Sequence, residues 1–179
     1  MMPRTTQSPS ISCVIPAFNE ARNLGAVVPG ILTTLRSLSE HIELIVVDDG
    51  SRDDSAAVMQ SLCVAYHEVV YLQLSRNFGK EPALTAGIDA ARGDVVILMD
   101  ADGQHPVAML PEMFEKWRQG SDVVYAVRNT RHDQSGLQVS LTGLFYKLVN
   151  FGNRVKIPPN AGDFRLMDRK VVEIGRAHV

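Results

Sequence analysis

The stretch Val95–Pro106, VVILMDADGQHP, decides how this chain folds and where its chemistry sits. An apolar run leads directly into Asp100, Asp102 and Gln104. Such a run, bounded by Gly93-Asp94 and a polar cluster, reads as a strand buried on both faces, as in parallel sheets. Ligands of open α/β sheets sit beyond the carboxyl ends of these strands. Side chains two residues apart in extended chain point the same way. Asp100, Asp102 and Gln104 can then direct oxygens at one point, a donor set suited to a hard divalent cation, Mg²⁺ or Mn²⁺. The competing reading is an acidic turn that caps the next helix. His105, in a turn before Pro106, reads as structural.

Composition narrows the field around this stretch. A chain of 179 residues can bury one ordinary core. The net charge of −2 and the lack of a long basic run argue against a nucleic-acid partner. Cys13 and Cys63 lie in apolar segments without metal-type spacing and read as reduced, buried thiols. Residues 1–10 are polar, lack the apolar core of a secretory signal and read as a loose tail. No apolar run is long enough to span a bilayer.

Outward from Val95, strand and helix alternate. Ile11–Pro16 is a strand, and Asn19 offers an N-cap for a helix from Glu20 whose apolar residues run from Leu24 to Leu38. Pro29-Gly30 predicts a kink or break in it. Ile42–Val47 is a second strand, ending in Asp48-Asp49-Gly50-Ser51, and Asp53 or Asp54 can cap the helix that follows to about Ala65. Val69–Leu74, the polar loop Ser75–Gly79 and a helix over Lys80–Ala91 come next. After the opening strand come a helix over Ala108–Gln119 and a fifth strand, Asp122–Val127. Short links between alternating elements imply a mostly parallel sheet with helices on both faces, a three-layer α/β/α domain. Beyond Val127 the rhythm changes. Leu137–Phe151 carries an apolar helical stripe that suits either a core helix or an amphipathic helix at a membrane surface. Phe164–Asp168 reads as an edge strand.

Five motifs now stand in order: PAFNE at Pro16–Glu20, VVDDGS at Val46–Ser51, SRNFGKE at Ser75–Glu81, MDADGQHP at Met99–Pro106 and GDFRLMDR at Gly162–Arg169. Together they resemble family 2 glycosyltransferases of the GT-A fold, over about residues 11–173. Their likeness is greatest to the polyprenyl-phosphate branch, the dolichol-phosphate mannose synthases and bactoprenol glucosyltransferases. The resemblance implies an inverting, metal-dependent transfer of a sugar from a nucleotide-diphosphate sugar to a polyprenyl phosphate, at the cytoplasmic side of the cell membrane. UDP-sugars and GDP-mannose both stay open as donors, and a homo-oligomer stays open as the assembly.

The resemblance and the residues agree on Asp100, Asp102 and Gln104 as metal ligands, because a departing diphosphate needs a cation. Asp102 is favoured as the direct ligand, and Asp100 can also reach the ribose. Pro16, Ala17 and Glu20 end the first strand, and Asp48 and Asp49 end the second. Adjoining ends make a slot for base and ribose, with Ala101 beside it. Asp49 reads equally as a turn residue before Gly50. Lys80, at a helix start beside Gly79, can meet a phosphate or stand solvated. By resemblance, Arg128, Arg131 and Arg165 would hold the acceptor phosphate, arginine being a bidentate phosphate ligand. Asp163 is the candidate base or acceptor-orienting residue, or else a structural partner of Arg165.

Relatives of this kind continue past GDFRLMDR with amphipathic and, in many bacteria, transmembrane helices. The chain is therefore expected to be a catalytic core lacking its C-terminal anchor. Ile174–Val179, IGRAHV, matches the translation of a common sequencing adapter and is expected to be non-native. Other functions fit less well. A processive polysaccharide synthase would carry Gln-x-x-Arg-Trp, whereas Trp117-Arg118 has the wrong order. A soluble or polysaccharide acceptor and an inactive nucleotide-sugar-binding fragment are the alternatives. A phospho-accepting receiver domain would begin at the strand before Asp48, where a complete strand–helix unit already precedes it. A dinucleotide-binding oxidoreductase lacks its G-x-G-x-x-G.

Overall fold

Short apolar runs become strands here because the segments between them bury a helical stripe on each side of the sheet. The structure, a computed structural model, describes residues 8–103, 107–127 and 161–176. In chain order the elements are β1 (Ile11–Ala17), α1 (Ala21–Leu38), β2 (Ile42–Asp48), α2 (Ser55–Ala65), β3 (Val69–Gln73), α3 (Lys80–Ala90) and β4 (Val95–Leu98). A 3-10 turn over Val107–Met109 then leads into α4 (Leu110–Arg118), followed by β5 (Val123–Val127), β6 (Ala161–Asp168) and α5 (Arg169–Arg176). The sheet has six strands in the order β3-β2-β1-β4-β6-β5. β1 pairs in parallel with β2 and β4, and β2 with β3, while β6 runs antiparallel to both β4 and β5.

Alternate residues of one strand serve opposite layers, which makes the three-layer reading concrete. Cys13 and Ile15 of β1, with Val46 and Ile97, pack with Leu24, Ile31 and Leu35 of α1 and with Leu110 and Trp117 of α4. Val14, Val47 and Leu98 face Ala83 and Leu84 of α3 on the other side. α3 comes so close that a Cβ on Gly87 would lie 2.3 Å from Cγ1 of Val14. Cys13 is fully buried, and desolvation pushes its thiol up to about 12, so it is inert at neutral pH. Cys63 is partly buried and likewise a free thiol.

Three local expectations are corrected. Phe164–Asp168 is not an edge strand: β6 lies between β4 and β5, and Phe164 and Leu166 are almost wholly buried. α1 runs unbroken through Pro29. That proline removes one donor, and its acceptor would be the carbonyl of exposed Gly25, which water can serve. Leu24, Val28, Ile31, Leu32 and Leu35 meanwhile anchor both halves of the helix in the core. Asn19 does not cap α1. It adopts φ +57, and its Oδ1 accepts from the Arg52 N–H at 2.8 Å instead.

The helix starts are served by Asp53. Its Oδ1 accepts from the Ser55 N–H at 3.0 Å and the Ser55 hydroxyl at 2.6 Å, and its Oδ2 accepts from the Ala21 N–H at 3.1 Å. One carboxylate thus caps α1 and α2 together. The Ser55 hydroxyl bond, chiefly, holds this carboxyl below its ordinary 3.8. Replacing Asp53 with Ala is expected to cost about 1 kcal/mol at neutral pH. Because the folded pKa is depressed, that contribution is complete above 3.8 and fades as pH falls through the lower folded value. Chemical denaturation should show the gap between wild type and D53A narrowing at pH 3. An equal gap at pH 7 and pH 3 would rule out an ionised cap.

Candidate active site

Register brings three loops to one sheet edge. Ala17 lies opposite Asp48, and Val14 lies opposite Leu98, so the chain leaves β1, β2 and β4 at neighbouring points. β1 is where helix-connected strands diverge to either side, the switch point at which open α/β sheets form their ligand crevice. A cleft of about 380 Å³ opens there, lined by Pro16, Ala17, Phe18, Glu20, Asp49, Asn77, Gly79, Lys80, Ala83, Asp100, Ala101 and Asp102.

Hydrogen bonds sew these loops into one wall. The Asp49 N–H donates to the Ala17 carbonyl at 2.8 Å. The Asn19 N–H donates to the Ser51 hydroxyl at 2.8 Å, and the Glu20 N–H to that of Ser55 at 3.1 Å. Asp49 grips the Ser75–Gly79 loop with both oxygens: Oδ1 accepts from the Phe78 N–H at 2.7 Å and Oδ2 from the Gly79 N–H at 2.8 Å. Its role is more than that of a turn residue, since it fixes the loop that delivers Lys80. Lys80 starts α3, and its Nζ lies 2.5 Å from Oδ1 of Asp100.

Asp100 and Asp102 line the cleft together, but not through strand alternation. β4 ends at Leu98, and residues 101–103 turn just beyond Asp100, with Gly103 at φ +69. The turn places the Asp102 side chain in solvent and tucks Ala101 into the core. Two carboxylates on an open, oxygen-rich wall fit a divalent cation that draws its remaining ligands from phosphate and water, the usual habit of Mg²⁺. Among the described residues no third acidic, histidine or cysteine ligand joins them. Gln104 and His105 lie outside the described residues.

Asp48 stands apart from the cleft lining. It is buried, accepting from the Tyr71 hydroxyl at 2.6 Å and the Ser51 N–H at 2.8 Å. Burial, and then the hydrogen bond to Asp48, push the Tyr71 hydroxyl well above its ordinary range. Asp48 therefore braces the second loop from beneath, and Asp49 is the carboxylate that reaches the cleft. Arg165 also lies off the cleft lining. It sits opposite Leu98 on β4 and Tyr125 on β5. The pairing of β6 with β4 ends there, and Asp163 lies two residues earlier on β6. The side chain of Asp163 falls outside the described residues, as do Arg128, Arg131 and the apolar stripe from Leu137 to Phe151.

Phe18 and Asn77 belong to the cleft but were not singled out in the sequence. Phe18, the central residue of PAFNE, is 42% exposed, an unusual state for a phenylalanine one residue beyond a core strand. That mismatch becomes visible only once β1 is known to stop at Ala17.

The profile of the family described as "Glycosyl transferase family 2" matches residues 12–175. The chain belongs to this family. An uncharacterized glycosyltransferase of Synechocystis is 44% identical over 162 residues, covering 90% of this chain and 51% of that protein. The bactoprenol glucosyl transferase of Shigella phage SfV is 42% identical over 167 residues, covering 91% of this chain and 53% of that protein. The chain thus spans about half the length of the curated relatives it matches. Among solved structures, glucosyl-3-phosphoglycerate synthase of Mycobacterium tuberculosis bound to UDP superposes with a TM-score of 0.65 at 22% identity, over 91% of this chain and 58% of that one. A mannosyltransferase of Pyrobaculum calidifontis, solved with GDP-Man and Mn²⁺, gives 0.61 at 19% identity, over 97% of this chain and 48% of that one. These likenesses are of fold, and the family 2 domain described here has the GT-A fold.

Proposed function

We propose that this domain transfers a sugar from a nucleotide-diphosphate sugar to a polyprenyl phosphate, with inversion, at the cytoplasmic face of the cell membrane. The observation that carries the reading is the convergence of Asp49, Lys80, Asp100 and Asp102 on one cleft at the switch point of the sheet. The lipid acceptor is supported by relatives more than 40% identical that are named bactoprenol glucosyl transferases. Among the described residues no helix is long and apolar enough to cross a membrane.

In this reading Pro16, Ala17 and Phe18 offer an apolar seat for the base, with Glu20 and Asp49 as acceptors for its N–H or the ribose hydroxyls. Asp100 and Asp102 hold a divalent cation, Mg²⁺ or Mn²⁺, which supplies neutralisation of the charge that develops on the diphosphate. Lys80 adds a point charge to the same oxygens. The bond from the anomeric carbon to the donor phosphate breaks as a bond to an acceptor phosphate oxygen forms on the opposite face. The acceptor is already anionic at neutral pH, so little proton transfer is required, and positioning with charge stabilisation carries most of the acceleration. Arg165 and Asp163, one strand over from β4, are proposed to orient the acceptor, with Arg128 and Arg131 as further phosphate ligands. Gln104 is proposed as an additional oxygen donor to the cation.

The test is transfer of radiolabel from UDP-glucose or GDP-mannose to undecaprenyl phosphate in detergent. Label should enter the organic phase only with a divalent cation and the lipid phosphate both present. Label passing instead to a water-soluble acceptor, with the lipid phosphate inert, would contradict the acceptor assignment.

A further inference from the structure

We propose that Lys80 makes metal binding conditional on the diphosphate: its ammonium opposes a dication at the Asp100–Asp102 wall until a nucleotide diphosphate gives that ammonium another anion to meet. The inference rests on the reading of Asp100 and Asp102 as metal ligands. Three observations carry it. The Lys80 Nζ lies 2.5 Å from Oδ1 of Asp100, on a carboxylate oxygen that a cation would use. Lys80 is not placed there by chance of a long side chain. It follows Gly79 at φ +102, and Asp49 clasps the Phe78 and Gly79 N–H groups, so the backbone from which Lys80 springs is fixed to β2. Finally, the lysine side chain is 41% exposed and that of Asp100 25% exposed, so the ammonium is open to an incoming phosphate.

The electrostatics have a definite sign. Two carboxylates attract a dication, and an ammonium held against one of them subtracts part of that attraction. A diphosphate brings negative charge to the same cleft, so Lys80 turns from opposing the metal to sharing its anion. Metal and nucleotide then raise each other's affinity, and by linkage each does so by the same factor. Lys80 is a positioning residue for the order in which the site fills.

Titration of the chain with Mn²⁺ alone, following the free-ion signal by electron paramagnetic resonance, and again at saturating UDP, tests this directly. Relative to wild type, Lys80→Gln should bind Mn²⁺ alone about threefold to tenfold more tightly. It should also bind UDP more weakly at saturating Mn²⁺, so that the mutual enhancement shrinks. Lys80→Arg, which keeps the charge, should stay near wild type and shows that any change follows charge and not folding. Unchanged or weaker Mn²⁺ binding in K80Q overturns the proposal, as does undiminished coupling to UDP. Asp100→Asn separates this from the underlying reading: if it leaves Mn²⁺ binding untouched with and without UDP, the metal assignment itself fails. If it abolishes Mn²⁺ binding while K80Q changes nothing, only the role of Lys80 fails.

Discussion

Asp102→Asn is expected to lower sugar transfer by about a thousandfold while leaving the thermal stability of the domain near wild type. Asp102 is exposed at the tip of a turn. The turn itself is secured by Ala101, which stays buried in the core beside it. Removing its charge therefore sacrifices little packing, and surface substitutions of this kind usually stay within about 0.5 kcal/mol. The catalytic consequence is of another order, because metal neutralisation of a leaving group is worth several kcal/mol and each 1.36 kcal/mol is about tenfold in rate. Transfer assays and a melting curve on the same preparation check both halves. A variant with near-normal turnover would remove Asp102 from the reaction, and one that fails to fold would contradict its placement on an exposed turn.

The second large effect is structural and reaches the site indirectly. Gly50 has φ +72, and a Cβ there would lie 2.5 Å from the carbonyl carbon of Arg76 and 2.7 Å from the Asn77 nitrogen. Both neighbours are backbone, so no side chain can swing aside. Gly50→Ala combines left-handed strain of about 1–2 kcal/mol with an overpacking cost of about 1–3 kcal/mol. The expected loss is about 3 kcal/mol on the same basis. The clash also pushes the Ser75–Gly79 loop away from β2, and that loop carries Asn77 and Gly79 into the cleft and leads to Lys80. UDP binding should therefore fall further than global stability alone explains. Gly30→Ala is the matched control. Nothing lies within 4 Å of its Cβ position in α1, so it should raise stability by about 0.5–1 kcal/mol. Denaturant unfolding of the two variants, compared at one temperature, decides the matter: a G50A protein as stable as G30A would show that the two loops are not in contact.

Much of this architecture was legible because the signals were local and repeated. Val95–Leu98, Ile42–Asp48 and Ile11–Ala17 are apolar runs that give way to polar, acidic segments, and all three are parallel strands whose ends share the cleft. What escaped depends on contacts distant in sequence. Nothing near Phe164 announces that β6 inserts between β4 and β5; only its pairing with β4 along one edge and β5 along the other makes it an interior strand. Pro29 signals a break by itself, yet five core side chains spread along α1 hold the helix through it. Asp48 and Asp49 are adjacent, chemically identical and both buried, and a sequence cannot tell which one lines the cleft. Tyr71 decides it, by donating to Asp48 from the neighbouring strand. The pairing of Asp100 with Asp102 was anticipated from strand alternation, whereas a turn closed by Gly103 brings them to one cleft.

The central claim is that the carboxyl ends of β1, β2 and β4 form a metal-dependent nucleotide-diphosphate site. Calorimetric titration of this chain with UDP-glucose and with GDP-mannose tests it most directly, in Mn²⁺, in chelator, and with Asp102→Ala. The account predicts saturable binding of at least one donor in Mn²⁺, with that binding lost in chelator and in D102A. Binding indifferent to both the metal and the mutation would contradict it.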